Sequence, residues 1–467
     1  MSDYIFIDLD LNQTYNVKFK YVENIIDKKN ITNIKFIRLP NKIPANFLKS
    51  CHNLTDISFE NCLNVTSIGH NFMADCSSLI NPNFEGLNNL QSIGYNFMSN
   101  CRSLTNPNFN GLNNLQSIFS NFMSNCDSLV NPNFEGLNNI RSIGENFMHR
   151  CNSLKNPNFN GLSNLQSIGS NFMSNCFSLV NPKFDGLSNL QSIGHYFMFH
   201  CSSLKNPNFN GLNNLQSIGN SFMSTCNSLV NPSFEGLNNV RSIQDFFMSG
   251  CRSLKNPNFN GLNNLQSIRS NFIANCNSLV NPKFNGLSNL QSIGDYFMSN
   301  CHSLKNPNFN GLSNLQLIGD DFMGSCYSLK NPNFNGLSNL QLIGDDFMKS
   351  CHSLENPNFS GLLMLNNLGC FAMKYCPNIT QKQIDYLYYI ARSGGYNNIL
   401  VSRILRTNPN LLLPTRFINN EREILGDIVD PVRFIVSKFL IPDGRRKSAR
   451  KSRRRSKSTR KLFNLSY

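Results

Sequence analysis

The residues of this 467-residue chain best suited to chemistry are its sixteen cysteines. Fourteen of them recur every 25 residues from Cys51 to Cys376, without an insertion or a deletion. None forms a Cys-x-x-Cys pair, the spacing typical of many zinc and redox sites. If successive segments stack at the spacing of β-strands, about 4.7–5 Å, the thiols form a ladder whose geometry permits disulfides.

The N-terminus favours free thiols over disulfides. Residues 1–11 contain acids and lack the basic and apolar regions of a secretory signal, and disulfides are rare inside cells. The chain also lacks the run of 18 or more apolar residues that predicts a membrane-spanning helix. We therefore predict an intracellular protein, in the cytoplasm or, through its basic tail, in the nucleus. Its cysteines are expected to be buried, reduced and packed as small apolar side chains.

The other groups that support catalysis or metal binding do not converge. The sequence has no glycine-rich phosphate loop, no nucleophile elbow and no carboxylate pair in a context of its own. We predict neither enzyme activity nor a cofactor or metal. The histidines fall at different places in the repeat and make no ligand set: His52, His70, His149, His195, His200, His302 and His352.

The 25-residue period itself predicts the fold. A period of 20 to 50 residues indicates a solenoid, in which each copy is one unit that buries its apolar face against its neighbours. Seven apolar side chains are too few to stabilise one isolated 25-residue copy, so stability is expected to belong to the array. In the copy that starts at Cys151 the apolar residues are Leu154, Phe159, Leu162, Leu165, Ile168, Phe172 and Met173.

The spacing within one copy predicts its local structure. Apolar residues at three-residue steps over 159–168 favour a chain that turns around a core. Steps of four and three over 172–179 predict one or two helical turns. An extended piece is expected over 155–159, bounded by Gly161, which has no Cβ and permits the turn back.

The segment L-Q-S-I-G-S-N-F-M-S-N-C-F-S-L, residues 165–179, resembles the BspA-like, or Treponema-type, leucine-rich repeats. The resemblance implies an α/β repeat solenoid, with a short parallel strand per coil on the concave side and a helical or 3-10 turn on the other. Pro157 departs from the family, which has an aliphatic strand residue there. Since proline cannot donate to a strand ladder, the concave sheet is expected to be frayed or reduced to isolated bridges at these residues. The asparagine-rich copies also resemble, in style, the expanded repeat proteins of large amoeba-infecting DNA viruses.

Four regions are predicted along the chain. Residues 1–50 form a β-rich cap, with two strands joined through Asn12-Gln13 and a third near 34–39. Residues 51–376 form the leucine-rich-repeat-like solenoid. Residues 377–443 form a helical cap, whose first helix runs from Thr380 through Ala391. Residues 444–467 form a disordered basic tail. An alternative for residues 1–50 is an F-box, although an F-box is helical.

The basic tail carries most of the net charge. The whole chain has a formal charge of +15, and eleven basic residues with no acid lie in the tail, so the rest of the chain carries +4. Such a block is suited to nuclear import, or to non-specific binding of nucleic acid or an anionic surface. The basic residues are Arg445, Arg446, Lys447, Arg450, Lys451, Arg453, Arg454, Arg455, Lys457, Arg460 and Lys461.

A polar ladder follows each cysteine. The asparagine five residues after the cysteine never varies from Asn81 to Asn356, and we predict that it bridges neighbouring coils and satisfies backbone groups. The residue seven after the cysteine does vary. By strand alternation it is expected to face the concave side and to contact a partner. These candidates are Asn108, Asn133, Asn158, Lys183, Asn208, Ser233, Asn258, Lys283 and Asn308.

The sequence as a whole predicts a non-enzymatic scaffold that presents a repetitive solenoid surface to a protein partner, with a basic tail for targeting or anchoring. One alternative is a nucleic-acid-binding or virion- or chromatin-associated protein that binds through the tail. A second alternative is a substrate receptor of a ubiquitin ligase, which depends on the F-box interpretation of residues 1–50.

Overall fold

The computed structural model describes residues 4–8, 11–18, 22, 24–26 and 30–391. The predicted basic tail and most of the predicted helical cap lie outside these residues. Within them, successive 25-residue copies form stacked coils whose strands pair in parallel and in register.

The N-terminal strands form where the sequence predicts them. β1 (Tyr4–Asp8) pairs antiparallel with both β2 (Gln13–Val17) and β3 (Asn33–Arg38). β3 then pairs in parallel with β5 (Asp56–Phe59), so this four-stranded sheet has the order β2-β1-β3-β5. Strands at these places give no support to an F-box or to the ligase-receptor alternative.

The array begins one coil before the predicted boundary at residue 51. β4 (Lys42–Ile43) pairs in parallel with β6 (Ser67–Ile68), the equivalent strand of the first cysteine-containing coil. Phe47 stacks on Phe72 with their ring centroids 5.9 Å apart. The cysteine spacing misses this coil because buried Ile26 stands where the later coils have cysteine.

The main ladder runs through the residues sixteen and seventeen positions after the coil's cysteine, such as Ser167–Ile168, and not through 155–159 as predicted. β8 to β18 form an 11-stranded sheet, and β4, β6 and β7 form a 3-stranded one. These strands are β7 Ser92–Ile93, β8 Ser117–Ile118, β9 Ser142–Ile143, β10 Ser167–Ile168, β11 Ser192–Ile193, β12 Ser217–Ile218, β13 Ser242–Ile243, β14 Ser267–Ile268, β15 Ser292–Ile293, β16 Leu317–Ile318, β17 Leu342–Ile343 and β18 Asn367–Leu368.

The predicted strand at 155–159 is reduced to isolated bridges. Comparison with a coil that lacks the proline shows that the proline is the cause. β5 has Ile57 where the following coils have proline, and it is a four-residue strand. A proline has no N–H to donate, so the following coils keep at most single bridges, at the residue after the proline. The bridges are Asn83 with Asn108, Asn158 with Lys183, Asn208 with Ser233, Asn258 with Lys283, Lys283 with Asn308, Asn308 with Asn333, and Asn333 with Asn358.

The segment predicted to make a helical turn is not helical. Asn171, Met173 and Asn175 have φ of 61°, 51° and 59°, so alternate residues are left-handed. Their N–H groups bond to neighbouring coils: Asn171 donates to the His195 carbonyl at 2.8 Å, and Met173 to the Phe147 carbonyl at 3.0 Å. A helix would direct each N–H along its own axis, away from these carbonyls. Three-residue 3-10 helices do occur in two coils, at Asp185–Leu187 and Asn285–Leu287.

The core is the predicted one. All seven apolar side chains of the Cys151 coil are at most 4% exposed. Two phenylalanine columns run along the array, with Phe159 stacked on Phe184 at 5.8 Å and Phe172 on Phe197 at 5.3 Å between ring centroids. Each coil therefore buries its rings against its two neighbours.

Residues 381–391 are helical, where a helix beginning at Thr380 is predicted. Thr380 and Gln383 form a reciprocal N-terminal cap: the Thr380 N–H donates to Gln383 Oε1 at 2.9 Å, and the Gln383 N–H to Thr380 Oγ1 at 3.4 Å. No described helix has the length and apolar character needed to cross a membrane.

Candidate functional site

The cysteines form a buried column of hydrogen-bond donors. All sixteen are free, and all but Cys370 are buried. Cys151 Sγ donates to the Met123 carbonyl and Cys176 Sγ to the Met148 carbonyl, each at 3.1 Å. These carbonyls belong to left-handed methionines 28 residues earlier in the chain. The prediction of buried thiols is confirmed for every cysteine except Cys370. Their hydrogen bonds to backbone carbonyls were not predicted from the sequence.

Burial suppresses thiol reactivity. It raises the pKa of Cys101, Cys226, Cys276 and Cys326 to about 12. Because the thiolate is the reactive form, these side chains are neutral and inert near pH 7. The column is therefore structural.

We expect native protein at pH 8 to label rapidly with iodoacetamide at Cys370 and slowly at the buried column. After denaturation, all sixteen thiols should label, because unfolding exposes every thiol to the reagent and removes the burial that raises the pKa of thiols such as Cys226. Intact-protein mass spectrometry measures both numbers. Rapid labelling of Cys226 in native protein, or a mass deficit from disulfides, would contradict the assignment.

The asparagine five residues after the cysteine bridges coils as predicted at Asn131, Asn206, Asn256, Asn306 and Asn331. Asn131 Oδ1 accepts the Asn156 N–H at 3.1 Å, and Asn331 Oδ1 accepts the Asn356 N–H at 3.2 Å. The amide oxygen is therefore occupied by the neighbouring coil's backbone, which explains why this position suits asparagine.

The candidate contact residues, seven after each cysteine, lie along the edge of isolated bridges, and all nine except Asn133 take part in one. Where the residue is asparagine, its Oδ1 accepts the N–H two residues later, as for Asn158 with Asn160 at 3.0 Å and Asn258 with Asn260 at 3.1 Å. Lys183 and Lys283 are exposed, and their coils contain the two 3-10 helices. Among the nine candidates, Asn108 and Ser233 are half-buried and the others are exposed: Asn133, Asn158, Lys183, Asn208, Asn258, Lys283 and Asn308.

A polar groove that the sequence analysis missed lies on another face. It encloses about 510 Å³ and is called here the amide groove. The sequence feature that indicates this groove is the Gln or Arg that recurs fifteen residues after the cysteine, as at Gln116, Arg141 and Gln166. The lining residues are Asn114, Gln116, Asn139, Arg141, Asn164, Gln166 and Asn189.

The asparagines of the amide groove are held by the backbone. Asn139 Nδ2 donates to the Asn113 carbonyl at 2.6 Å, and Asn164 Nδ2 donates to the Asn138 carbonyl at 2.7 Å. The exposed side-chain amides of Gln116 and Gln166 make no hydrogen bond with the described part of the chain, and Arg141 forms no ion pair there. The groove thus offers ordered amides, free amides and one cation.

The histidines are not brought together as ligands. His302, Tyr327 and His352 stack on one another in consecutive coils, with ring centroids 4.6 and 4.8 Å apart. Over residues 30–391 and the shorter N-terminal stretches described, no group of three His, Cys, Asp or Glu side chains is placed to hold a metal ion.

The fold is that of known leucine-rich repeat proteins. A leucine-rich repeat protein from Bacteroides ovatus is 18% identical, with a TM-score of 0.51, over 81% of this chain and 86% of that one. One from Eubacterium ventriosum is 16% identical, with a TM-score of 0.39, over 66% and 86%. No curated protein sequence matches the chain significantly. The likeness in style to viral repeat proteins stays a prediction.

The family itself is shown by a direct match. The BspA type leucine-rich repeat region, a model of six copies, matches residues 21–155, 116–255, 174–287, 226–355 and 266–393. Together these segments cover well over half of the 467 residues. The first begins before Cys51, in agreement with the additional N-terminal coil. The chain therefore belongs to the BspA-type leucine-rich repeat family.

Proposed function

We propose that this protein is a non-enzymatic interaction scaffold that binds an extended segment of a protein partner in the amide groove. A leucine-rich-repeat scaffold is consistent with a protein-interaction role. The observation that carries the groove assignment is the pairing of backbone-anchored asparagines with the unpaired amides of Gln116 and Gln166.

The chemistry of the groove suits a polypeptide backbone. A side-chain amide both donates and accepts, so a row of them can pair with successive peptide N–H and C=O groups. Because the asparagines are already held in place, binding orders few additional side chains, which lowers its entropic cost. Arg141 favours a partner with an Asp or Glu side chain at that point, through a charge-assisted hydrogen bond.

The edge of isolated bridges is a second proposed contact surface. Lys183 and Lys283, exposed and four coils apart, are the charged members of the candidate set and would favour an acidic partner. Their partner-binding role is supported by exposure and charge alone.

The tail, residues 444–467, is proposed to target or anchor the protein inside the cell. Its eleven basic residues support this role, and non-specific nucleic-acid binding is the alternative role for the same segment. Sixteen free thiols support the intracellular setting.

The groove is tested by quantitative affinity purification from cell extract. Gln116→Glu with Gln166→Glu should reduce recovery of the captured partner roughly tenfold or more, because two carboxylates replace amide donors. The matched control is Gln266→Glu with Gln316→Glu, equivalent positions outside the groove, which should leave recovery unchanged.

Two more variants assign the remaining surfaces. Lys183→Glu with Lys283→Glu tests the bridge edge, and removal of residues 444–467 tests the tail. Loss of the partner with either of these but not with the groove variant would contradict the groove assignment.

A further inference from the structure

Three exposed aromatic side chains form a row on alternate coils, at the twentieth residue after the coil's cysteine. Tyr196, Phe246 and Tyr296 are 42%, 44% and 45% exposed, and they are called here the aromatic row. The coils between them carry short side chains at the same position, Ser221 and Asn271. Along the array, the surface therefore alternates between a ring and a notch.

The backbone at these positions is unsuited to aromatic residues. Tyr196, Phe246 and Tyr296 have φ of 60°, 60° and 59°, which is the left-handed region. Asn171 and Asn271 occupy the same position with φ of 61° and 59°. Asparagine tolerates this conformation through local hydrogen bonding, whereas a bulky side chain there is a strained outlier. The coil imposes this φ, because the N–H groups of Tyr196, Phe246 and Tyr296 donate to carbonyls of the next coil at 2.8, 2.9 and 2.7 Å. At this position asparagine is the ordinary residue and an aromatic side chain is the unusual one.

Packing within the described chain does not account for the rings. Tyr196 meets Phe199 edge-on at 5.4 Å between centroids. Neither Phe246 nor Tyr296 stacks on another aromatic ring within the described residues. About two-fifths or more of each side chain stays open to solvent, so the row is a surface available to a partner.

The spacing of the row matches one regular conformation. The buried rings next to it, Phe197, Phe222, Phe247 and Phe272, lie 5.0, 5.1 and 5.2 Å apart, so two coils span about 10 Å. A polyproline II helix has three residues per turn and a rise of about 3.1 Å, or about 9 Å per turn. Prolines at every third residue would therefore enter the successive notches at Ser221 and Asn271. Exposed rings can tilt to absorb the difference of about 1 Å.

Three aspartates beside the aromatic row favour a positively charged ligand. Asp245 and Asp295 precede Phe246 and Tyr296, and Asp320 follows in the next coil. The Oδ1 atoms of Asp245, Asp295 and Asp320 accept N–H groups of the next coils at 3.0, 2.9 and 2.8 Å, which holds the carboxylates in place. None of the three forms an ion pair with a described residue.

The environment of Asp320 agrees with an unneutralised acidic surface. Burial, and then the neighbouring carboxylates of Asp295 and Asp345, raise the pKa of Asp320. A Lys or Arg side chain of a ligand placed here would offset that repulsion.

We infer that the aromatic row binds a basic, proline-rich peptide in the polyproline II conformation, with a proline at every third residue and a Lys or Arg near Asp295. Aromatic-lined surfaces recognise such peptides because the ligand is already ordered before it binds. The inference deepens the proposed scaffold role at a surface separate from the amide groove. A negative binding result for one of these two surfaces therefore does not count against the proposal for the other.

The test is fluorescence anisotropy with the full-length protein and a labelled peptide that has three prolines at every third position followed by an arginine. Two control peptides have the same composition with the prolines made adjacent, or have glutamine in place of the arginine. We expect the spaced peptide to bind, the adjacent-proline peptide to bind at least tenfold more weakly, and the glutamine peptide to fall in between.

Asparagine variants of the row give the matched test, since asparagine is native at this position in neighbouring coils. Tyr196→Asn, Phe246→Asn and Tyr296→Asn should each weaken binding by roughly tenfold, and the triple variant should remove it. Their melting temperatures should stay the same or rise. The groove variant Gln116→Glu with Gln166→Glu should bind the peptide normally. Absence of binding by the spaced peptide, equal binding of both proline arrangements, or wild-type binding by the triple variant would each overturn the inference.

Discussion

Phe222→Ala should lower the free energy of unfolding by about 3–5 kcal/mol, the range for removing a fully buried phenylalanine. Phe222 is 0% exposed and stacks between Phe197 at 5.0 Å and Phe247 at 5.1 Å, with Phe209 tilted against it at 5.3 Å. Because one ring serves three coils, the loss should extend beyond its own coil.

Hydrogen exchange locates the damage, and urea unfolding measures its size. Amides that bond across this part of the array, such as Met198 to the Phe172 carbonyl and Met223 to the Phe247 carbonyl, should lose protection together. Phe177→Ala is the matched control. Phe177 is 42% exposed, so its loss should change stability by no more than about 0.5 kcal/mol. Damage confined to residues 201–225 would contradict a continuous core.

Gly211→Ala should destabilise the protein by about 2–5 kcal/mol, from backbone strain and steric overlap acting together. Gly211 has φ of 98°, and a Cβ at this residue would overlap the Phe184 carbonyl oxygen of the preceding coil. Relief would require the two coils to move apart, because the overlapping atom is a backbone oxygen that cannot rotate away.

Gly324→Ala is the control for the cost of adding a methyl group. Its φ lies outside the left-handed region, and the atoms nearest the added Cβ belong to the Asp321 carboxyl group, which can rotate away only by giving up its hydrogen bond from Ser299 Oγ. We expect a loss of about 1 kcal/mol, the net worth of that hydrogen bond, measured by thermal and urea unfolding. Equal losses for the two variants would show that close approach of the coils does not explain the glycine.

The sequence by itself determined the period, the core and the chemistry of the cysteines. Leu154, Phe159 and Ile168 could be assigned to the core because apolar burial depends on which residues recur at equivalent places, and recurrence is visible in one dimension. The effect of proline was also local: removing an N–H breaks a ladder whatever the partner, as the contrast between Ile57 and the later prolines shows.

Only the tertiary structure decided where the ladder runs and how the chain turns. The direction of a backbone N–H depends on a carbonyl 25 residues away, so Ser167–Ile168 could not be distinguished from 155–159 by local pattern. The apolar steps of four and three over 172–179 suit a helix. In the folded array, however, the Met173 N–H donates to the Phe147 carbonyl of a neighbouring coil, and this hydrogen bond stabilises the left-handed conformation of Met173 instead.

The candidate sites also divide into those that the sequence predicts and those that only the tertiary structure reveals. Asn131 was predictable as a bridge because asparagine's own chemistry favours backbone hydrogen bonds. The amide groove and the aromatic row were not predictable, since they exist only when residues from several coils lie side by side. Gln116 and Gln166 are 50 residues apart in the chain, and Tyr196 and Phe246 are equally far apart. Stacking brings each pair onto one surface, because every coil adds only about 5 Å to the array.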